Sequence, residues 1–158
     1  MAAAPRVPPG AVARTFAPLL LLLGVACGGE PERAAVDPHA ALRQRLGIDA
    51  DVRIHRITLG GRGAREHVVP PRLEVTSGDV VEFLTVDGRI HTVEFPVDSL
   101  SMVTAAFLRG TGQLESPPLV DRGTRFVITL RGAPPGRYLF RSRGSGQDAW
   151  GEIVVRSR

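Results

Sequence analysis

From Val52 onward, apolar and polar residues alternate with a period of two, the mark of strands with one buried face. This pattern predicts strands over 52–59, 67–75, 79–86, 90–95, 124–130, 137–143 and 150–156. Turn signals separate most of them: Gly60-Gly61-Arg62-Gly63, Ser77-Gly78-Asp79, Asp87-Gly88, Arg122-Gly123 and Pro134-Pro135-Gly136. Seven short strands at this spacing predict an antiparallel sandwich. Ahead of them, Asp37-Pro38 reads as a helix cap followed by proline at the first helical position. Leu42 and Leu46 are spaced i, i+4, and Gly47 is a stop signal. A short helix over 38–46, packed on the domain that follows, is the expectation. Segment 99–108 lacks alternation and reads either as a helix or as an apolar crossover loop.

The first 27 residues follow a different pattern. Arg6 and Arg14 precede an apolar run from Phe16 to Ala26 that includes five leucines, Leu19–Leu23. A run of 11 residues is too short for a bilayer span of about 20, and it has the size of a secretory h-region. It ends in Gly24-Val25-Ala26-Cys27-Gly28-Gly29. This resembles a bacterial lipoprotein signal, in which a small residue precedes the lipidated Cys. The sequence departs from that pattern in having Gly24 where leucine is usual, and ordinary signal-peptidase cleavage near the same point is the alternative. Either reading implies export to the bacterial cell envelope or periplasm. Lipidation at Cys27 adds an anchor to a membrane. Residues 28–50 then form a tether and the short helix, and 51–158 the sandwich.

Composition narrows the function classes. All 20 cationic residues are arginine, and the 18 Gly and 13 Pro favour a turn-rich β domain over a helix bundle. Beyond the signal, 18 arginines face 16 acids with no basic block, so the footprint of a nucleic-acid binder is missing. Cys27 is the single cysteine. It excludes an internal disulfide, a cysteine-based zinc site and an iron–sulfur cluster.

Four motifs carry a family resemblance. Pro71-Arg72-Leu73-Glu74-Val75-Thr76-Ser77-Gly78-Asp79-Val80-Val81-Glu82-Phe83 looks like two cupredoxin strands joined by a Gly-Asp turn. His91-Thr92-Val93 resembles the segment that gives the family its first copper ligand. Pro135-Gly136-Arg137-Tyr138-Leu139-Phe140 resembles its Pro-Gly-x-Tyr-x-Phe strand, and Gly151-Glu152-Ile153-Val154-Val155 its closing strand. The resemblance covers roughly residues 52–158. It implies an all-β, cupredoxin-like antiparallel Greek-key β-sandwich with a short N-terminal helix.

A blue-copper centre needs two His, a Cys thiolate and a weak axial Met. By the resemblance, the Cys position is Ser142, the second His falls near Ser145, and the Met falls at Ala149 or Trp150. Thr85 takes the place of the Asn that braces the first ligand. Only His91 remains. The resemblance therefore implies the sandwich and argues against type 1 copper. His91 reads as a sandwich-end histidine hydrogen-bonded to a neighbour. A different metal site would combine it with His55 or His67 and an acid such as Asp87 or Asp148. His39, on the N-terminal helix, is expected in solvent.

Strand parity turns Tyr138, Phe140 and Ser142 inward, and Arg137, Arg141 and Arg143 outward. Ser142 reads as a small filler; no nucleophile elbow surrounds it. With Arg89, and Arg109 beside them, the outward arginines would line one end of the sandwich, as a docking patch for an acidic partner or as a solvated face. Trp150 is expected either to plug the space a metal would fill or to sit in a partner surface. Met102–Leu108 is expected to cover the core or to meet a partner. No catalytic constellation is present in the sequence, so no enzyme activity is expected. The leading expectation is an exported, membrane-tethered cupredoxin-like binding or assembly module that contacts another envelope protein and carries no cofactor. The alternative is a copper-binding or electron-transfer protein with a non-thiolate site around His91.

Overall fold

Eight strands and two α-helices form within residues 37–158, the part of the chain that the computed structural model describes. Helix α1 spans Ala40–Leu46. It is followed by β1 (Ile54–Arg62), β2 (Arg65–Val69), β3 (Arg72–Thr76), β4 (Val80–Thr85) and β5 (Thr92–Glu94). Helix α2 (Met102–Gly110), β6 (Arg125–Thr129), β7 (Gly136–Arg143) and β8 (Ala149–Arg156) complete the order. Cys27 and the expected tether lie outside the described residues.

The strands make two four-stranded sheets, ordered β2-β1-β4-β6 and β3-β8-β7-β5. This is the sandwich that the resemblance implies, but its sheets are mixed rather than antiparallel. β1 runs parallel to β4, and β3 runs parallel to β8. The expected single strand at 67–75 is two strands, one in each sheet, because Pro70 and Pro71 lack the N–H groups a continuing ladder requires. Conversely, Gly60-Gly61 does not turn the chain. Both glycines stay in β1, where a Cβ on Gly60 would come within 2.9 Å of Val86 and one on Gly61 within 2.5 Å of Arg89. Their role is close approach, and the hairpin turns at Gly63-Ala64 instead.

Alternation fills the space between the sheets with Ile57, Leu59, Val81, Phe83, Ile128, Tyr138, Phe140 and Ile153, all fully buried. Each such side chain contributes on the order of 1.5–3 kcal/mol of burial. Segment 99–108 resolves as helix α2, capped by the Ser101 hydroxyl, which accepts from the Thr104 amide at 3.2 Å. Its Ala105 and Leu108 close the core, while Met102 and Val103 remain 88% and 61% exposed.

Helix α1 starts at Ala40, two residues later than expected. Asp37 does not cap it in the usual way; its carboxylate accepts from the His39 amide and the Arg43 guanidinium, both at 2.8 Å. Gly47, with φ of 60°, ends the helix as expected. Leu42 is buried. His39 is also not in solvent: its side chain is 14% exposed and Nδ1 lies 3.6 Å from the fully buried Glu82 carboxylate. Arg56 donates to Glu82 at 2.7 Å, and Arg125 approaches it at 3.1 Å. The charge of Glu82 on β4 is thus met by arginines from both neighbouring strands. Burial, followed by the nearby Arg56 charge, pushes the His39 imidazole below its ordinary value.

Tyr138 is the only tyrosine, and it gives a direct probe of this core. Its ring is buried and its hydroxyl donates to the Pro134 carbonyl at 2.8 Å. Burial pushes its pKa up to about 12. Absorbance at 295 nm during an alkaline titration is expected to show one transition near that value. Because the fold favours the neutral phenol, this contribution to stability is complete below the unfolded value near 10 and disappears as pH rises toward 12. The loss is on the order of 2–3 kcal/mol. A transition at pH 10 with the protein still folded would contradict the buried placement.

Candidate functional site

The loop 86–91 between β4 and β5 brings His91 into the end of the core. A pair of backbone hydrogen bonds with Leu119, at 3.0 and 2.8 Å, fixes it there. The ring is fully buried. Its Nε2 is 2.8 Å from Asp87 Oδ1, so the expectation of a hydrogen-bonded neighbour describes one side of the ring. On the other side, Nδ1 lies 3.0 Å from Glu66 Oε2, off the hydrogen-bond direction, so neither atom has a hydrogen-bond partner. Glu66 is itself buried, and Arg89 Nη1 stands 4.0 Å from its other oxygen.

Asp87 is held from three directions: His91, the Gly61 amide at 2.7 Å and the Arg89 amide at 3.0 Å. Burial pushes its carboxyl up, but these hydrogen bonds outweigh burial and hold it below its ordinary value. Glu66 did not enter the sequence reading, since the expected strand began at residue 67. The signal that would have found it is parity. Two residues before the core-facing Val68, Glu66 occupies a core-facing slot of β2, whose exposures alternate strictly.

The other expected positions separate. Ser142 faces inward and is fully buried, as its parity required, yet its hydroxyl has no hydrogen-bond partner. Ser145 is exposed on the rim of a shallow 370 Å³ hollow with Ile90, Thr92, Glu115 and Arg143. Ala149 packs on the core. Trp150 does not plug the interior. It alternates outward between Ala149 and Gly151, is 48% exposed, and carries the Arg141 guanidinium 5.8 Å above its ring. Thr85 is buried, but its hydroxyl donates to the carbonyls of Asp121 and Thr124, bracing the turn before β6 rather than His91. His55 pairs with Asp79 at 2.8 Å at the far end of β4, His67 is exposed on β2, and Asp148 lies 3.4 Å from Arg141. None of these three meets His91.

The outward arginines face out as expected, but they are not one patch. Arg137 bonds Glu152 at the start of β7, roughly 20 Å of strand from Arg143. Arg141 and Arg143 converge on Glu94 at 3.0 and 2.9 Å. Burial raises the Glu94 carboxyl, and the two arginines more than reverse that, holding it below its ordinary value. The half-buried Arg89 belongs to the His91 cluster.

A type 1 copper centre is what a cupredoxin fold implies, and these residues do not fit one. The single imidazole has a carboxylate against each nitrogen. The Cys position offers a hydroxyl, a hard and poorly ionised donor, and the axial positions offer a methyl group and an outward indole. Among the described residues, no group of three or more His, Cys, Asp or Glu side chains is arranged to hold a metal ion.

No protein-family model matches the chain, and no curated protein does. Solved structures similar to it include a mutant plastocyanin of fern, at 18% identity over 64% of this chain and 99% of that one, with a TM-score of 0.49. The plastocyanin from Dryopteris crassirhizoma has the same identity and coverage, with a TM-score of 0.48. A purple cupredoxin from Nitrosopumilus maritimus is 18% identical over 65% of this chain and 99% of that chain, with a TM-score of 0.41. The order of strands and their parallel and antiparallel pairing define the class: a cupredoxin-like β-sandwich.

Proposed function

We propose that the chain is a cupredoxin-like binding or assembly module of the bacterial cell envelope, exported, tethered to a membrane through lipidated Cys27, and working without copper or catalysis. The observation that carries this reading is the engagement of His91 by Asp87 and Glu66, which puts acid side chains where a metal would need open nitrogens. The partner is another envelope protein, met by the loops and faces of the sandwich.

Copper titration of the purified full chain tests the reading, with metal content assayed after dialysis and His91→Ala as control. The expected result is no retained copper and no His91-dependent quenching of Trp150 fluorescence. One tightly held copper per chain, lost in His91→Ala, would replace this reading with that of a copper-handling protein. Lipidation is tested separately: metabolic labelling with a fatty acid is expected to mark the wild type and not Cys27→Ser.

A further inference from the structure

We propose that the Glu66 side chain is the keystone of the His91 end of the sandwich, its two carboxyl oxygens tying separate loops as a metal ties its ligands. The inference rests on the copper-free reading above and names the group that takes over the metal's organising role.

Glu66 lies on an edge strand, yet its side chain is fully buried and meets two other segments at once. Oε2 faces His91 of loop 86–91 at 3.0 Å. Oε1 accepts from the Gly146 amide, between β7 and β8, at 3.2 Å, and lies 4.0 Å from Arg89. Gly144 rests directly on the carboxylate, where a Cβ would come within 2.7 Å of both Cδ and Oε1. The backbone follows the side chain: the Glu66 amide donates to the Gln147 carbonyl at 3.0 Å, and the Gln147 amide donates to the Ala64 carbonyl at 2.7 Å.

These contacts close a circuit. Gly61 of β1 donates to Asp87, Asp87 holds His91, His91 faces Glu66, and Glu66 sits opposite Gly61 in the β1–β2 ladder. The circuit has one contact that is not an aligned hydrogen bond, that between His91 Nδ1 and Glu66 Oε2. Removing one member of such a buried group leaves the others uncompensated. Glu66 is thus a positioning residue, and its two carboxyl oxygens, not only its volume, are what the end of the sandwich needs.

The test compares Glu66→Gln, which keeps the shape, with Glu66→Ala, which leaves a space for a small carboxylate. Amide hydrogen exchange is read at Gly146 and Gln147, against core amides of β4 as an internal reference. Both substitutions are expected to speed exchange at Gly146 and Gln147 at least 100-fold while the reference amides change less than tenfold. Sodium formate at 0.2 M is expected to restore at least tenfold of the lost protection in Glu66→Ala, where sodium chloride at the same concentration does not. Wild-type exchange rates in Glu66→Gln would overturn the need for both carboxyl oxygens. Equal effects of formate and chloride would overturn the carboxylate site. If Glu66→Ala does not fold in chloride, folding in formate supports the proposal and failure in both leaves the decision to Glu66→Gln. Copper retained by the wild type would refute the copper-free reading, whereas an unaffected Glu66→Gln would refute only the keystone.

Discussion

Phe83→Ala is expected to lower stability by about 3–5 kcal/mol, read as a shift of the urea midpoint with little change in slope. The ring of Phe83 is fully buried and is the hub of the aromatic core. It meets Phe140 edge-on at 5.1 Å and Phe95 edge-on at 6.3 Å, and it stacks on Phe126 at 6.0 Å. Alanine there removes the transfer energy of one ring and the edge contacts of two others, and rings locked on each other refill the space poorly. For a domain at the low end of the usual range of about 5–15 kcal/mol, such a loss leaves part of the population unfolded at room temperature. A cost below 1 kcal/mol would mean that Phe83 is not the hub described.

Gly151→Ala is expected to be the other severe change, at about 3 kcal/mol or somewhat above, for the opposite reason. A Cβ on Gly151 would lie 2.3 Å from Cζ of Phe140 and 2.7 and 2.9 Å from its Cε atoms. The ring cannot swing aside, because Phe83 and Phe95 pack against it. Shortening the obstructing ring should return part of the loss. The double variant Gly151→Ala with Phe140→Leu is therefore expected to be more stable than the sum of the two single losses, by at least 1 kcal/mol in a double-mutant cycle. Additive losses would show that the ring is not the obstacle.

How far these features were legible follows from the range of the interactions behind them. The parity of 137–143 was readable because it depends on one strand alone, and Tyr138, Phe140 and Ser142 turn inward as the alternation requires. Of the two readings of Trp150, the plug came from a metal ligand in the family pattern and fails, because the alternation of Trp150 with Ala149 and Gly151 points it outward. The parallel partners of β1 and β3 were not readable, since pairing across 26 and 80 residues leaves no mark on local periodicity. The same holds for Glu82. It alternates away from Val81 and Phe83, and only the arrival of α1 and two arginines makes that face an interior. At the candidate site, His91 stood out because of its motif. Glu66 did not, because its importance comes from three segments meeting in space.

The position of β8 has a consequence for how the molecule comes to be folded. It is the central partner of the second sheet, flanked by β3 on one side and β7 on the other, yet every other strand precedes it in the chain. Until β8 is available, β3 has no neighbour in its sheet. The nascent polypeptide therefore carries the aliphatic side of that strand uncovered until β8 has been made. Contacts this distant in sequence place folding toward the slow, millisecond-to-second end of the range for small domains, and the uncovered strand is open to aggregation until the sandwich closes.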